Sequence, residues 1–490
     1  MSRISKTYAM RLINPVHIGK VLSSILLIEA AAIILCLPVS VIYKEPAGPL
    51  AISAAICTVI SGLLWFLSRR HNAGQITNRE TYLIVTSAWL VISFAGTLPY
   101  LIGNTIPSFV DALFEATSGL TTTGASILTD VEALPYSILF WRSMTHWIGG
   151  IGIIVLVILV LPSLKMTGYQ LFSLESSMKE KIHPKAKGVV YRILLIYLGI
   201  TALETIFLLL GGMNLFDSLC HSFGTVATGG FSTRNDSVAG YSPYLQYVIA
   251  VFMLLSAISY VVYYHLLKGS FRRVKSNDEL WFYLFTVTAG VTALTVILFT
   301  GTDRNFGLSF RHAFFHVISQ ISCSGFATAD YMSFTPLGWF LLFLLMFSGG
   351  STGSTTGGIK IARHFIFFKN LGNSFIRLHH PNAVVPVKLN GQGVPESVVN
   401  QTMVFISLYF VTFIAGVLLL QISGISIMES AGAVATSMAN IGPGLGQSGN
   451  MGNFGHFNPF AKSVMTLLMI AGRLELFTFF TVFTRPFRKI

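Results

Sequence analysis

The chain has 490 residues, of which 53% are hydrophobic and only 10% charged, with a mean hydropathy of +0.69. A soluble domain carries about 25% charged residues, so the composition excludes that class and indicates an all-α polytopic membrane protein. The formal net charge of +13 reads as the basic bias of cytoplasmic loops rather than as a nucleic-acid surface, so no nucleic-acid partner is expected.

The N-terminus is polar and basic (Arg3, Lys6, Arg11, Lys20). The apolar run behind it is long enough to span, so it reads as a first transmembrane helix, not a cleavable signal. Further apolar runs follow, giving spans near 18–43, 48–68, 81–103, 137–162, 189–211, 243–267, 279–301, 336–372, 398–422 and 457–484. Each is near the roughly 20 residues a bilayer needs, except 336–372, which is too long and is broken in its middle. Four shorter, semi-polar segments lie between spans, at 111–123, 216–228, 311–324 and 428–441, and suit re-entrant helices. The basic stretches 69–79, 163–187, 268–275 and 360–388, with both termini, place about 25 of the 32 Lys and Arg on the cytoplasmic side. The re-entrant segments then enter from the opposite side. The expected organisation is an N-terminal two-helix unit (1–70) and four helix–pore helix–helix repeats around a central pore, at 71–165, 166–270, 271–375 and 376–490, the third with a broken second helix. Repeats of one orientation around an axis normal to the membrane fit this spacing.

Each re-entrant segment ends in a run of small residues closed by glycine: Thr121 to Gly124, Val226 to Gly229, Ser322 to Gly325, and Ala439 to Gly442. Glycine admits backbone conformations closed to other residues. In a membrane, non-helical backbone survives only inside protein or along a water-filled cavity, and carbonyls lining such a cavity replace the water shell of an ion. Pore-helix C-termini, each carrying about half a negative charge, would favour a cation there. The candidate ion-lining residues are Thr122, Thr123, Gly124, Ala227, Thr228, Gly229, Cys323, Ser324, Gly325, Asn440, Ile441 and Gly442. No acidic ring precedes the glycines, which argues against a divalent-cation filter; Glu115 and Glu429 lie earlier, inside the pore helices.

The span after the third filter is interrupted by Ser348 to Lys360, rich in Gly, Ser and Thr. As a phosphate loop it fails, because Lys360 has neither the preceding Gly nor the following Ser or Thr. Gly349 and Arg473 fall at comparable distances behind their filter glycines, as does Gly150, so a movable loop (Gly349, Gly350, Ser351, Thr352, Gly353) and an intramembrane arginine meet below the filter. An arginine at that depth costs at least about 3 kcal/mol on insertion scales. The expected gate is this loop, latched by Arg473; the alternatives are a packing kink and a structural pair of Arg473 with Glu475 or Glu204. Glu475 stands two residues away on one helix and does not face it. His146 and His221 read as packing residues, and Cys36, Cys57, Cys220 and Cys323 as structural thiols. No catalytic constellation and no tightly bound cofactor are expected. The polar stretch 373–395, with Pro381, Pro386 and Pro395, reads as a cytoplasmic loop that a partner grips.

These motifs resemble the Trk/Ktr/HKT superfamily of potassium transporters, and within it the bacterial TrkH subfamily. The residues that carry the likeness are Thr121-Thr122-Thr123-Gly124, the run Trp141 to Gly152, Ala227-Thr228-Gly229-Gly230-Phe231-Ser232, Gly349 to Lys360, and Gly472-Arg473-Leu474-Glu475. The resemblance spans nearly the whole chain. It implies potassium as the transported substrate, a homodimer with one pore per protomer, and a cytosolic TrkA-like nucleotide-binding ring that controls the gate. It also implies a bacterial inner-membrane protein with both termini cytoplasmic. Gly124, where sodium-selective plant relatives carry serine, implies potassium. The competing reading is a proton- or sodium-coupled symporter, which would favour inverted repeats and buried acids; few buried acids are expected here.

Overall fold

The computed structural model describes residues 14–69, 77–155, 186–302 and 305–484. The two chain ends and most of the basic stretch 163–187 lie outside the described residues. Among the described residues, six helices are long and apolar enough to cross a membrane: Pro15–Ile42, Gly48–Ser68, Arg79–Ile102, Val190–Leu210, Asp278–Gly301 and Glu396–Ile422. Their outer faces leave large apolar side chains exposed, among them Ile28, Val59, Leu210, Phe285 and Leu418. In water such a surface would aggregate; in lipid it costs nothing. The first two helices approach closely at small residues, where the Ser23 and Ser61 hydroxyls donate to each other's backbone carbonyls at 2.9 and 2.7 Å.

The four pore helices are Phe109–Leu120, Leu215–Val226, Phe306–Ile321 and Ile427–Ala439. Even the longest, at 16 residues, reaches only about 24 Å at 1.5 Å per residue, short of the roughly 30 Å of hydrocarbon. Each starts at a side-chain cap, Ser108, Asn214, Asn305 or Ser426, which accepts a backbone N–H three residues on. Three carry an acid in the first turn (Asp111, Asp217, Glu429), and none has a basic residue in its last turn. At those three the positive helix end is therefore neutralised, while all four negative ends are left for whatever they face.

A fourfold punctuation also marks the helices that follow. Three begin with a cap and a proline, Ser242-Pro243, Thr335-Pro336 and Asn458-Pro459, and Pro135 precedes the helix Tyr136–Val155. Proline at a helix start gives up no hydrogen bond. Only the run 336–372 was expected to break, but among the described residues three of these four helices are interrupted. Pro243–Ser256 bends by 91° into Tyr260–Leu267. Pro336–Leu345 opens into the loop and resumes as Ile361–His379. Pro459–Arg473 stops, passes through Glu475 at φ 57°, and resumes as Leu476–Thr481. The stretch 373–395 is likewise not one loop: the helix continues to His379, and a hairpin pairs Lys388–Leu389 with Gln392–Gly393. Val387, Leu389 and Val394 pack that hairpin against Ala362 and Ile366.

Candidate functional site: a closed ring of four glycine turns

All four pore helices end in the same way. The residue after the last turn is left-handed although it is not glycine: Thr122, Thr228, Cys323 and Asn440 have φ of 52°, 57°, 56° and 54°. The next residue sends its N–H back five positions, Thr123 to Ser118 (2.8 Å), Gly229 to Gly224 (2.8 Å), Ser324 to Ser319 (3.0 Å) and Ile441 to Thr436 (3.1 Å). This is the helix-ending bond of the Schellman motif, which usually has glycine at the left-handed position. A left-handed conformation costs other residues roughly 1–2 kcal/mol, and threonine is among the least tolerant. Four such positions in equivalent turns are the kind of backbone strain that clusters at functional sites.

Two residues after each lies a glycine that is also left-handed: Gly124 (82°), Gly230 (81°), Gly325 (75°) and Gly442 (108°). A Cβ on Gly124 would come within 3.0 Å of the Gly229 carbonyl oxygen, and one on Gly230 would meet that of Ser324. On Gly325 it would meet that of Ile441, and on Gly442 that of Thr123. The contacts close a circuit: each turn seats its glycine on the carbonyl of the next. A cavity of about 150 Å³ opens over the ring with all four glycines at its floor.

This circuit corrects the expected register of the second turn. Gly230 occupies the place of Gly124, Gly325 and Gly442, whereas Gly229 is equivalent to Thr123, Ser324 and Ile441. Ala227 is then one station early, in the helical cap position. The other expected positions, in turns one, three and four, are equivalent to one another as read. Ile441 adds bulk only outside the ring: its side chain packs in the apolar core, while its carbonyl stands in the circuit like the others.

Three side chains that hold the ring were not singled out as functional. Arg142 donates from Nε to Glu115 at 2.8 Å and from Nη1 to the Ser232 carbonyl at 3.2 Å, and it lies 3.9 Å over the Phe231 ring. Glu115, fully buried, also accepts from the Ile127 N–H at 3.0 Å. The Phe231 N–H donates to His146 Nε2 at 3.1 Å, so Nδ1 carries the proton and donates to the Gly119 carbonyl at 2.8 Å. Arg142 and His146 stand four apart, on one helix face. His146 is thus a packing histidine, as expected, but one that ties the first turn to the second. All four cysteines are buried and free.

On the side of the ring away from the cavity lies the loop 348–358. Thr355 Oγ1 donates to the Val226 carbonyl at 3.2 Å, and Gly357 leaves less than 3.0 Å for a Cβ against the Ala439 carbonyl. The loop tip therefore abuts the C-terminal ends of the second and fourth pore helices. Arg473 donates from Nη1 to the Thr355 carbonyl at 2.7 Å and from Nη2 to that of Gly149 at 3.4 Å. Two of the three stations expected to share a depth, Gly150 and Arg473, align by packing. Gly149 lies against the Leu120 carbonyl and Gly472 against that of Met438, so Gly150 and Arg473 are equivalent. Arg473 forms no ion pair among the described residues; Glu475 instead pairs with Arg363 at 2.7 Å. The loop is not loosely held, as its composition had suggested. Ser351, Thr352, Ser354, Thr355 and Thr356 are buried, and the Ser351 N–H donates to Ala257 and the Tyr260 N–H to Gly353. Lys360 Nζ donates to the Thr356 carbonyl and, at 2.9 Å, to its hydroxyl. Buried acids are also more numerous than expected: Glu29, Glu115, Glu204 and Glu279 are all 2% exposed or less.

Residues 49–487 match the family model described as TrkH, cation transport protein. The chain is 35% identical to the Trk system potassium uptake protein TrkH of Escherichia coli strain K12 over 460 residues, covering 92% of this chain and 94% of that one. It is 32% identical to TrkH of Halomonas elongata, covering 96% and 98%. The crystal structure of the potassium transporter TrkH from Vibrio parahaemolyticus superposes with a TM-score of 0.89 at 30% identity, covering 97% of this chain and 99% of that one. By sequence and by fold, this multi-pass membrane protein belongs to the TrkH family of cation transport proteins.

Proposed function

We propose that this chain is the pore-forming subunit of a potassium uptake system in a bacterial inner membrane, with both termini cytoplasmic. The observation that carries the reading is the closed circuit of four glycine turns. It brings four backbone carbonyls (Thr123, Gly229, Ser324, Ile441) side by side at the negative ends of four helices, and a dehydrated cation is the species such a ring suits. The names of the relatives select potassium. The ion-lining set is Thr122 to Gly124, Thr228 to Gly230, Cys323 to Gly325, and Asn440 to Gly442. The repeats run over 71–165, 166–270, 271–375 and 376–490 behind a two-helix unit at 1–70.

The loop from Gly349 to Gly353 and on to Gly358 is the gate, and Arg473 is its latch. A positive charge under the ring also lowers the occupancy of cations leaving it. The protein works as a homodimer, one pore per protomer, under a cytosolic TrkA-like nucleotide-binding ring that docks on the basic cytoplasmic face around 373–395. Deleting 375–393 abolishes capture of that ring in a pull-down if the stretch is the docking site. Reversal potentials in proteoliposomes test the transport reading: they follow an imposed potassium gradient and ignore a pH gradient. A shift with pH would overturn the pore reading in favour of symport. Buried Glu29 and Glu204, inside apolar helices without ion pairs among the described residues, are the observation that favours that second reading.

A further inference from the structure

The helix Asp278–Gly301 begins with two adjacent acids, and each grips the backbone of a different element. Asp278 makes a reciprocal pair with the tip of the hairpin: the Asn390 N–H donates to Asp278 Oδ2 at 2.7 Å, and the Asp278 N–H donates to Asn390 Oδ1 at 2.8 Å. Asn390 and Gly391 are both left-handed, with φ of 51° and 73°, the conformation of a tight two-residue hairpin turn. Glu279 points the other way and is 1% exposed. Its Oε1 accepts the Thr352 N–H at 2.6 Å and the Ala362 N–H at 3.2 Å. These amides stand ten positions apart, one on the loop and one on the first turn of the helix that follows it. That helix has no side-chain cap of its own at Lys360, so Glu279 supplies the negative group its first turn lacks.

We propose that the Asp278–Glu279 couple is the mechanical tie between the cytoplasmic hairpin 387–394 and the intramembrane loop, with Glu279 as the positioning residue that holds the loop in its seat beneath the ring. The proposal rests on the reading of that loop as the gate. Displacing the hairpin pulls on Asp278 and, through Val387 and Leu389, on Ala362 and Ile366. Both routes end on the two segments that Glu279 joins. A partner that moves the hairpin therefore reaches the gate through backbone hydrogen bonds, without entering the membrane.

Hydrogen exchange on the full-length protein in nanodiscs tests the tie, and ion flux tests the gate separately. Glu279→Ala frees both amides and speeds exchange over 349–363 by about tenfold or more, with the pore helix 109–120 unchanged. Glu279→Gln keeps an acceptor oxygen and retains most of the protection. Asp278→Ala, outside the loop and half-buried, speeds exchange in 387–394 and also in 349–363. If Asp278→Ala loosens only the hairpin, or Glu279→Ala leaves 349–363 protected, the tie does not exist. Flux rises on deleting Gly350 to Thr355, and Glu279→Ala adds nothing further in that background. If the deletion leaves flux unchanged while the exchange results hold, the gate reading fails and the tie stands as a structural one.

Discussion

The ring and the loop beneath it are both made of Gly, Ser and Thr, yet they take their shape by opposite means. Each turn of the ring is shaped locally, by a helix-ending bond spanning five residues and by hydroxyl pairs such as Thr121 with Thr123 and Ser322 with Ser324 at 2.8 and 2.9 Å. Distant side chains (Arg142, His146, Asn440) then tie one finished turn to another. The loop makes some short-range bonds, but its placement comes from far along the chain: Val226, Ala257, Glu279 and Arg473. A locally capped structure repeats wherever its motif repeats. A structure held from a distance is unique and can be released by breaking a few bonds. That division is the one the proposed ion path and gate require.

The largest effect expected is on the ring's support. Glu115→Ala leaves Arg142 buried and unpaired, which typically costs 3–5 kcal/mol, and should drop the thermal midpoint of the purified protein by far more than any change in the loop. An equal loss from Thr355→Ala would erase the contrast between a rigid ring and a releasable loop. Next is the latch. Arg473→Ala removes charge-assisted hydrogen bonds worth roughly 1.5–3 kcal/mol each, so ungated flux should rise about tenfold or more, at about 1.4 kcal/mol per tenfold. Normal insertion with unchanged flux would place the gate elsewhere.

A smaller shift is expected in selectivity. Gly124→Ser puts a Cβ onto the Gly229 carbonyl and should raise sodium relative to potassium uptake by roughly tenfold, about 1.4 kcal/mol. Gly230→Ser should do the same, because it meets the Ser324 carbonyl in the equivalent way. If Gly230→Ser is silent while Gly124→Ser is not, the ring is not fourfold in function. The smallest effect belongs to the caps. Ser108→Ala should cost about 1 kcal/mol of stability, seen as a modest fall in thermal midpoint with selectivity unchanged. A change in selectivity would mean that the ring depends on the far ends of its helices.

The apolar runs, the re-entrant lengths and the small-residue endings determined a membrane protein with four pore turns, because helix length, burial in lipid and helix termination are local matters written in short stretches of chain. The cap-proline starts were equally local and equally legible. Tertiary structure decided what local chemistry leaves degenerate. In Ala227-Thr228-Gly229-Gly230 either glycine can close the turn, and it is the contact with the Ser324 carbonyl that identifies Gly230 as the ring glycine. Glu475 was rightly discounted as a partner for Arg473, but its true partner, Arg363, is 112 residues away. Glu279, one more acid at a helix start in the sequence, became a clamp because folding brought Thr352 and Ala362 to the same oxygen. A chain specifies where its backbone turns through nearest neighbours; which turns meet is set by packing among segments a hundred residues apart.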